Sequence, residues 1–577
     1  MIVYGDHQQV EGFDAARAGL VARRAALSRL PTGLQRHAAL ITLHIEAGRL
    51  AQAVADDAFD PEAGDRPTAS DHAWMAWLTD CARCVVVSWD DGCSGRPLPP
   101  PLPATPAPAR PLRLKVPEGY AFYGLYPESY IAAARTLPWQ GGVVRVVGLR
   151  SIGTSLSAVV AAALDAPPPM SLRPIGHPFR RSARAGREAL ERFLRGGSAF
   201  VVVDEGPGLS GSSFAAAARL LMAHGVTSDR IVFMPGHGGA PGPAADAAIR
   251  SIWRSVQVRP SVPISDPTVA GWAGSLLPAQ PTGFEDLSLG KWRARRFASP
   301  RAWPAIDNRS DRRKLLVHEP ARSWVARFAG LGAAGERKLA RAETLANMGL
   351  TPRPAGLAHG FLIQEWIAPT RALAPPGPEV VGRYIAARRD LPLGASAGAD
   401  LATLRAMALA NTTEALGADV AARLANRLIP TEALARERRP IAIDGAFQPW
   451  KWVWHERWLK TDALDHDADH DLIGPQDLAW DVAGALFELN YSARSRSRLL
   501  DALGSARPGE AMMDFMTPCY LAFRLGAQRL AAEGRPAGSA ERRRNEAAAL
   551  RYADALRQLS TPGDGVRPAP HAAEKSG

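Results

Sequence analysis

Apolar residues recur along this chain in two patterns, one typical of helices and the other of buried strands. Apolar positions three and four residues apart predict a mostly helical region over residues 1–95. Between residues 118 and 270, short β-branched runs alternate with amphipathic segments, which predicts a parallel α/β sheet. After residue 300, a strand pair, a helix and a further strand precede a long helical stretch. We therefore expect a multidomain protein of mixed α/β and α+β class, with a helical N-terminal region and a parallel-sheet domain in the middle.

Composition breaks separate these regions. Residues 96–117 read RPLPPPLPATPAPARPLRLKVP, and so much proline predicts a linker or a strap across the surface. Residues 271–300 are rich in Pro, Gly and Trp without clear periodicity, which predicts a second linker. Residues 536–577 predict one helix and then a disordered tail. The expected domains are therefore residues 1–95, 118–270 and 301–535.

Charge and cysteine content narrow the class of protein. The net charge is +12, but only seven of the 69 basic residues are Lys, so we interpret the arginines as solvated surface and do not expect a nucleic-acid partner. No charge-free apolar run reaches the roughly 18–20 residues of a membrane span, and the first residues lack a signal-peptide pattern. We expect a cytoplasmic protein. Cys81, Cys84 and Cys93 are interpreted as buried free thiols, with a zinc site that adds His72 as the alternative.

One stretch carries the clearest chemistry. Residues 199–214 read AFVVVDEGPGLSGSSF, which predicts a buried strand, two adjacent carboxylates at its end, a Gly/Ser loop and the start of a helix. Loop amides and a helix N-terminus bind phosphate, while Asp204 and Glu205 can hold sugar hydroxyls or reach Mg²⁺ through water. A plain strand–turn–helix is the alternative.

A second loop repeats this arrangement earlier in the chain. The strand GGVVRVVGLR is followed by Ser151, Ile152, Gly153 and Thr154, and then by an apolar helix. Hydrogen-bond donors and Arg150 would thus lie at a strand's carboxyl end, facing an anion. Two such loops in one sheet indicate a phosphorylated ligand more specifically than either alone.

These two loops resemble those of type I phosphoribosyltransferases, which bind phosphoribosyl pyrophosphate (PRPP). The resemblance implies that Asp204 and Glu205 hold the ribose and are the catalytic acids. It further implies a PRPP site formed by Arg150, Ser151, Gly153, Thr154, Asp204, Glu205, Leu209, Ser210, Gly211, Ser212 and Ser213. In the loop after Asp204 and Glu205, the run Gly206-Pro207-Gly208 makes the distance from the acids to the phosphate turn one residue longer than is common in the family. Between the loops, an arginine-rich segment (residues 171–198) is where the family closes a mobile loop over pyrophosphate, although a solvated helix start explains its charges as well.

The C-terminal region resembles aminoglycoside-phosphotransferase-like small-molecule kinases, which implies a two-lobed kinase-like domain over residues 301–535. DRRKLLV and SWVARF form a predicted hairpin, GERKLARAETLANMG a helix, and GFLIQEWI the strand leading to the hinge. The resemblance implies that Arg327 replaces the usual lysine of the third strand, with Glu336 or Glu343 as its partner. Gln364 and Trp366 would then lie near the adenine of ATP.

The same resemblance assigns two aspartates. Asp444 takes the catalytic position and Asp462 the metal-binding one, and Asp477 and Asp481 match the segment that opens the next helix. The usual His-x-Asp is absent, and Pro449 stands where the family has Asn, so Gln448 is the nearest amide. The run from Asp465 to Asp471 either binds a divalent ion or is a solvated acidic loop.

Two enzymatic hypotheses and one regulatory hypothesis follow. The first is a PRPP-dependent phosphoribosyltransferase of unknown acceptor, fused to an ATP-dependent kinase-like domain that acts on a small molecule, with Mg²⁺ as cofactor. The second places the activity in the kinase-like domain and makes the other domain a PRPP or nucleotide sensor. The third is a non-enzymatic regulator switched by PRPP or nucleotide.

Overall fold

The computed structural model describes residues 1–5, 8–138, 141–307, 311–369, 373–394, 398–464 and 470–561. Its first part consists of β1 (Gln8–Glu11), α1 (Phe13–Arg29), α2 (Leu34–Asp57), α3 (Ala69–Asp90), β2 (Leu112–Lys115), α4 (Glu118–Ala121) and α5 (Pro127–Ala134). The proline-rich stretch is a strap over α1–α3, since Arg24, Arg36 and Trp77 donate hydrogen bonds to its carbonyls. The strap ends in β2, which pairs antiparallel with β1.

A parallel sheet follows. Its elements are β3 (Val143–Leu149), α6 (Gly153–Ala163), β4 (Met170–Leu172), β5 (Ile175–His177), β6 (Arg180–Ser182), α7 (Arg187–Leu194), β7 (Gly197–Val203), α8 (Ser212–Ala223), β8 (Ile231–Met234), α9 (Ala247–Ser255) and β9 (Gln257–Val258). The strand order is β4-β3-β7-β8-β9. All neighbouring strands are parallel, so the predicted parallel sheet is present, and β5 and β6 form a separate antiparallel hairpin.

The two faces of this sheet belong to different cores. Along β7, Phe200 and Val202 pack with α8 and α9, whereas Val201 and Val203 pack with α2, α3 and α6, as the alternation of a strand requires. Helix α2 approaches α6 so closely at Gly48 that a Cβ there would lie 2.5 Å from the Ser155 Cβ. The helices predicted as a separate N-terminal region therefore cover one face of the parallel sheet.

An antiparallel sheet begins inside the predicted second linker. It contains β10 (Gly283–Asp286), β11 (Lys314–His318), β12 (Ser323–Phe328), β13 (Pro354–Ala358) and β14 (Phe361–Glu365), preceded by α10 (Asp266–Gly274) and crossed by α11 (Ala333–Asn347). The order is β10-β11-β12-β14-β13. The predicted hairpin, helix and hinge strand are confirmed, but β10 was missed because four residues with little alternation give no periodic signal.

The remaining elements form a C-terminal helical lobe. They are α12 (Pro378–Ala387), α13 (Leu401–Leu416), α14 (Ala418–Ala425), α15 (Glu432–Glu437), β15 (Pro440–Ile441), β16 (Trp452–His455), β17 (Arg457–Lys460), β18 (Gln476–Asp477), α16 (Leu478–Glu488), α17 (Ala493–Ala502), α18 (Glu510–Glu533) and α19 (Ala540–Leu559). This lobe has its own core, which the chain's first residues join through Val3. Among the described residues, no helix has the length and apolar character needed to cross a bilayer.

Candidate functional site

Two carboxylates stand at the carboxyl end of β7. The backbone holds them in place: the Tyr130 hydroxyl donates to the Asp204 carbonyl at 2.9 Å, and the Gly236 N–H donates to the Glu205 carbonyl at 2.8 Å. The Glu205 side chain accepts a hydrogen bond from the Gly119 N–H. The predicted acidic pair thus lies at the sheet edge, fixed by three neighbouring segments.

Burial dominates the electrostatics of this pair. It raises the pKa of Asp204 to about 7, against the opposing effect of Arg173 and Arg181. For Glu205, burial together with the negative charges of Glu118 and Asp204 raises the pKa to about 8. Such clustered, perturbed carboxyl groups are typical of sites that bind a cation or sugar hydroxyls.

The predicted phosphate loop follows directly and turns into α8. Gly211 has φ +66°, and a Cβ there would lie 2.5 Å from the Trp253 indole nitrogen, so only glycine fits the turn. Ser213 lies in the first turn of α8, where helix N–H groups favour an anion. Leu209 is 62% exposed and points away from the loop's interior.

The β5–β6 hairpin covers this loop. At its tip, the Pro178 carbonyl accepts hydrogen bonds from the Ser210 hydroxyl at 3.2 Å and from the Ser212 hydroxyl at 2.7 Å. The hairpin also carries Arg180 and Arg181, which belong to the arginine-rich segment predicted to close over pyrophosphate. Phosphate can reach these two serine hydroxyls only if the hairpin lifts or the hydroxyls turn.

The second predicted loop lies beside the acidic pair. A Cβ on Gly153 would lie 2.6 Å from the Val203 carbonyl oxygen and 3.4 Å from Asp204 Oδ1. The Ser151 carbonyl accepts a hydrogen bond from the Thr154 N–H at 3.2 Å. The Thr154 hydroxyl is buried, and no described residue forms a hydrogen bond with it. The peptide bond between Arg150 and Ser151 is cis. The structure therefore brings both loops and both carboxylates together at one sheet edge.

The Arg150 side chain does not face the anion position predicted for its loop. Its guanidinium is buried in an ion pair with Asp65, and its Nε lies 3.1 Å from Asp56 Oδ1. Asp56 lies on α2 and Asp65 in the segment between α2 and α3. The sequence of the loop after β3 therefore gave no indication that these acids contact Arg150. In this conformation the Arg150 side chain supports the sheet and does not face the loop's anion position.

The predicted kinase-like site brings two of its residues together. Arg327 Nη1 on β12 lies 2.8 Å from Asp462 Oδ1, and Lys451 Nζ lies 2.6 Å from the other oxygen of that carboxylate. A cation of the third predicted strand thus meets the predicted metal-binding acid across 135 residues. Lys451 was missed, because no motif marks it.

Asp444 is enclosed. It is fully buried, accepts a hydrogen bond from the Tyr384 hydroxyl, and lies 3.0 Å from Lys460 Nζ. Its N–H donates to Asp481 at 2.8 Å, and burial raises the pKa of Asp481 to about 7. The predicted catalytic acid is therefore not open to a substrate in this arrangement, because a buried lysine that the sequence did not reveal occupies its carboxylate.

Of the other predicted ATP-site residues, two lie at the end of β14 as expected, and the two glutamates do not contact Arg327. Glu343 is exposed on α11, and Glu336 pairs with Arg23, so neither is the predicted partner of Arg327. Gln364 donates to the Pro352 carbonyl at 3.2 Å, and the Trp366 N–H donates to the Ser323 carbonyl at 2.9 Å, which places both at the end of β14.

Helix α11 also differs from the predicted pattern in its buried face. That face carries the cations Lys338 and Arg341 and no acid. Gln448, the amide nearest the missing Asn, is buried, and neither of its amide atoms has a hydrogen bond within the part of the chain that the structure describes. The acidic residues 465–469 lie outside the described residues.

The two sites approach each other through a tyrosine-rich segment. Glu118 Oε1 lies 3.4 Å from His470 Nε2, and the Tyr123 hydroxyl lies 2.5 Å from the other ring nitrogen. Glu118 also raises the pKa of Glu205. A chain of polar side chains therefore leads from the sheet-edge carboxylates to the segment that follows Asp462. The sequence shows Glu118 only as an ordinary polar residue, whereas His470 belongs to the run from Asp465 to Asp471, for which an ion site is one of the two interpretations.

Cys81, Cys84, Cys93 and Cys519 are free thiols, as expected. Burial raises the pKa of Cys84 and of Cys93 to about 11. Among the described residues, these thiols are not part of any cluster of three potential metal ligands. Cys81 and Cys93 are buried, as interpreted, whereas Cys84 is half-buried.

Comparison with known proteins gives a partial answer. No family model matches this chain, and no curated protein does. Among solved structures, the choline kinase LicA from Streptococcus pneumoniae is similar at 10% identity, covering 50% of this chain and 98% of its own, with a TM-score of 0.32. A spectinomycin phosphotransferase in complex with ADP and spectinomycin is similar at 9% identity, covering 52% and 98%, with a TM-score of 0.35. A glucosamine kinase is similar at 16% identity, covering 51% and 86%, with a TM-score of 0.31.

These similarities to kinases extend over about half of the chain. None of the three proteins is a phosphoribosyltransferase, so that resemblance of the parallel-sheet region stays a prediction. At TM-scores below 0.5, an assignment of chemistry must come from the chain's own residues.

Proposed function

We propose that the protein is a PRPP-dependent phosphoribosyltransferase whose acceptor is unknown, joined in one chain to an ATP-dependent kinase-like half that acts on a small molecule. The observation that carries the first part is the position of Asp204 and Glu205 between the two loops. Gly153 of one loop adjoins Asp204, and Glu205 leads into the loop that opens α8.

At the sheet edge, each group has a task that suits its chemistry. Residues 210–213 and the N-terminus of α8 bind the 5′-phosphate, Asp204 and Glu205 hold the ribose hydroxyls, and residues 151–154 receive the pyrophosphate. The bond from the anomeric carbon to pyrophosphate oxygen breaks, and a bond from that carbon to the acceptor forms. The positive charge that develops on the sugar ring is stabilised by the adjacent carboxylates, and the charge of the leaving pyrophosphate by Arg180 and Arg181.

A divalent cation fits this site. Two partly buried carboxyl groups with raised pKa values favour a bound positive charge, and carboxylate oxygens are ligands that Mg²⁺ prefers. When bound, Mg²⁺ would neutralise the pyrophosphate. The chain's own residues would orient the sugar and exclude water when the β5–β6 hairpin closes.

In the kinase-like half, Arg327 would contact ATP phosphates and Asp462 would hold the metal ion. Gln364 and Trp366, at the end of β14, would border the adenine. Gln448 is a buried amide with an unused oxygen, which suits a second contact to the cation. The Lys451 and Arg327 pairs with Asp462 must rearrange when metal and nucleotide enter, and Asp444 becomes a base only if Lys460 withdraws.

A second candidate function has its own support. The Ser210 and Ser212 hydroxyls are bound to the Pro178 carbonyl, so the hairpin closes the phosphate loop without a ligand. This suits a sensor in which PRPP or nucleotide opens the hairpin and regulates the kinase-like half through the contact between Glu118 and His470. A non-enzymatic regulator would use the same ligand-dependent opening of the hairpin, but would not catalyse a reaction in either half.

Thermal-shift titration tests the binding part. Millimolar PRPP with Mg²⁺ should raise the melting temperature by several degrees, because a ligand bound only by the folded state stabilises it. Asp204→Asn combined with Glu205→Gln should abolish this rise, while the exposed control Asp229→Asn should keep it. ATP with Mg²⁺ should stabilise in the same way, with loss in Asp462→Asn and retention in the exposed control Asp419→Asn.

Turnover then separates the hypotheses. Release of pyrophosphate from PRPP with candidate acceptors, lost in the Asp204/Glu205 variant, supports the transferase. PRPP binding that changes only ATP consumption supports the sensor. The absence of any stabilisation by PRPP or pyrophosphate would exclude both PRPP-based functions.

A further inference from the structure

Three side chains from distant parts of the chain meet in the interior. His37 lies on α2, Glu128 on α5, and His359 in the turn between β13 and β14. The Nε2 atoms of both imidazoles lie 2.7 Å from the same carboxylate oxygen, Glu128 Oε1. All three side chains have 0% solvent exposure. The cluster is therefore sealed inside the junction between the parallel and antiparallel sheets.

Hydrogen bonding within the protein does not satisfy this cluster. Glu128 Oε2 and His359 Nδ1 are both buried and have no hydrogen-bond partner among the described residues. A buried polar atom without a partner costs free energy, and native proteins keep few of them. The two carboxylate oxygens of Glu128 and the Nε2 atoms of the two histidines together form a set of donor atoms that could bind a metal ion.

We propose that His37, Glu128 and His359 bind a structural zinc ion. Imidazole nitrogens and a carboxylate are ordinary zinc ligands, and a bidentate carboxylate gives the four donor atoms of a closed site. Aromatic rings close the surroundings: the His359 ring centroid lies 4.7 Å from that of Trp272 and 5.3 Å from that of Tyr126. A site without an open side suits a structural ion and not a catalytic one.

The geometry needs only a small adjustment. With zinc bonds of about 2.0–2.1 Å, tetrahedral ligand atoms stand about 3.3 Å apart. Each imidazole would therefore move back from Oε1 by about 0.6 Å, or meet the ion from the side of Oε2. A histidine that binds a metal through one ring nitrogen usually donates a hydrogen bond from the other. His37 has such a partner, because its Nδ1 lies 2.9 Å from the Ser88 hydroxyl oxygen, which would accept this hydrogen bond.

The ion would join three parts of the protein. Helix α2 covers the parallel sheet, α5 leads towards the sheet-edge site, and the β13–β14 turn belongs to the antiparallel sheet. Zinc would fix these parts relative to one another and hold the segment around Glu118 and Tyr123 in place. This inference is independent of the reaction that the protein catalyses.

Metal analysis of the full chain tests the proposal. The protein, purified without chelators and dialysed, should contain about one zinc per chain by mass spectrometry of the metal. Removal of zinc with dipicolinate should lower the melting temperature by several degrees, and added zinc should restore it. Cobalt in its place should give the absorption bands of a tetrahedral site.

Variants then locate the ion. Glu128→Gln and His359→Gln keep side-chain size and should lose the zinc. Cys84→Ser and His72→Gln, which alter the alternative thiol site, should keep it. Zinc lost from Cys84→Ser and retained by His359→Gln would overturn the assignment, as would iron in place of zinc.

The wild-type protein decides the question even if the Glu128 variant fails to fold. A wild-type chain that holds no transition metal after incubation with excess zinc, and whose melting temperature does not respond to zinc or chelator, would show that the cluster is a hydrogen-bonded triad alone.

Discussion

The two acidic sites of this protein contain similar residues in opposite electrostatic states. At the parallel sheet, Asp204 and Glu205 stand beside each other and beside Glu118, and their pKa values are raised. In the proposed kinase-like half, Asp444 contacts Lys460, and Asp462 contacts both Arg327 and Lys451. At the first site burial favours the protonated form of the carboxyl groups, whereas at the second site lysine and arginine side chains compensate the charge of the carboxylates.

This difference determines what a ligand must do at each site. A cation or a set of hydroxyl donors at the sheet edge relieves the penalty that burial imposes on the carboxylates, so binding there is assisted from the start. Under the proposed function, nucleotide and metal in the C-terminal half would first have to displace existing ion pairs, which would weaken their binding. The sheet-edge site is therefore the more prepared of the two for its ligand.

The largest expected effect comes from breaking the buried pair of the kinase-like half. Lys460→Met leaves Asp444 buried without its cation, which should lower the free energy of unfolding by about 3–5 kcal/mol. Urea denaturation followed by circular dichroism measures this. The control Lys291→Met removes an exposed pair with Asp286 and should change stability by less than about 1 kcal/mol. Equal losses in the two variants would contradict the comparison.

The opposite sign is expected at the sheet edge. Asp204→Asn together with Glu205→Gln removes two carboxyl groups whose ionisation is unfavourable in the folded state, so the ligand-free protein should gain about 1–2 kcal/mol at pH 8. Calorimetric melting without PRPP measures this, with the exposed Asp229→Asn as the neutral control. A destabilised double variant would show that these carboxylates have favourable partners.

The same pair should make stability depend on pH. Folding raises the pKa of Asp204 from 3.8 to about 7 and that of Glu205 from 4.5 to about 8. Between these values the folded state retains protons that the unfolded state has released, so the pair's contribution to stability falls as pH rises from about 4 to 8. The stabilisation in the double variant should therefore be larger at pH 9 than at pH 5, measured as the difference in melting temperature. An effect that does not change with pH would contradict the raised pKa values.

The smallest effect concerns the hairpin that covers the phosphate loop. Ser212→Ala removes the 2.7 Å hydrogen bond to the Pro178 carbonyl and should lower stability by about 1 kcal/mol or less. The β5–β6 hairpin should then open more often, so trypsin should cleave at Arg180 or Arg181 several times faster. Ser228→Ala, a half-buried serine at the other end of the sheet, is the control. An unchanged cleavage rate would mean that other contacts hold the hairpin closed.

The sequence alone determined the elements that local pattern controls. The apolar run before Asp204 had to be a buried strand, the glycines and serines after it had to form a turn into α8, and the run GFLIQEWI had to be a strand. Because these signals come from neighbouring residues, they identified both loops and the parallel character of the sheet before any contact was known, but not the order of its strands. The element β10 escaped, since a short strand without alternation looks like a linker.

Only the tertiary structure decided which partner each charged group has. Arg150 turns towards Asp65, Lys460 occupies Asp444, and His359 meets Glu128 across 231 residues. Such pairings depend on which side chains folding buries together, and burial rather than residue type sets whether an acid is neutralised or left with a raised pKa. The sequence therefore determined where the carboxylates of this protein lie along the chain, and the fold determined their charge state.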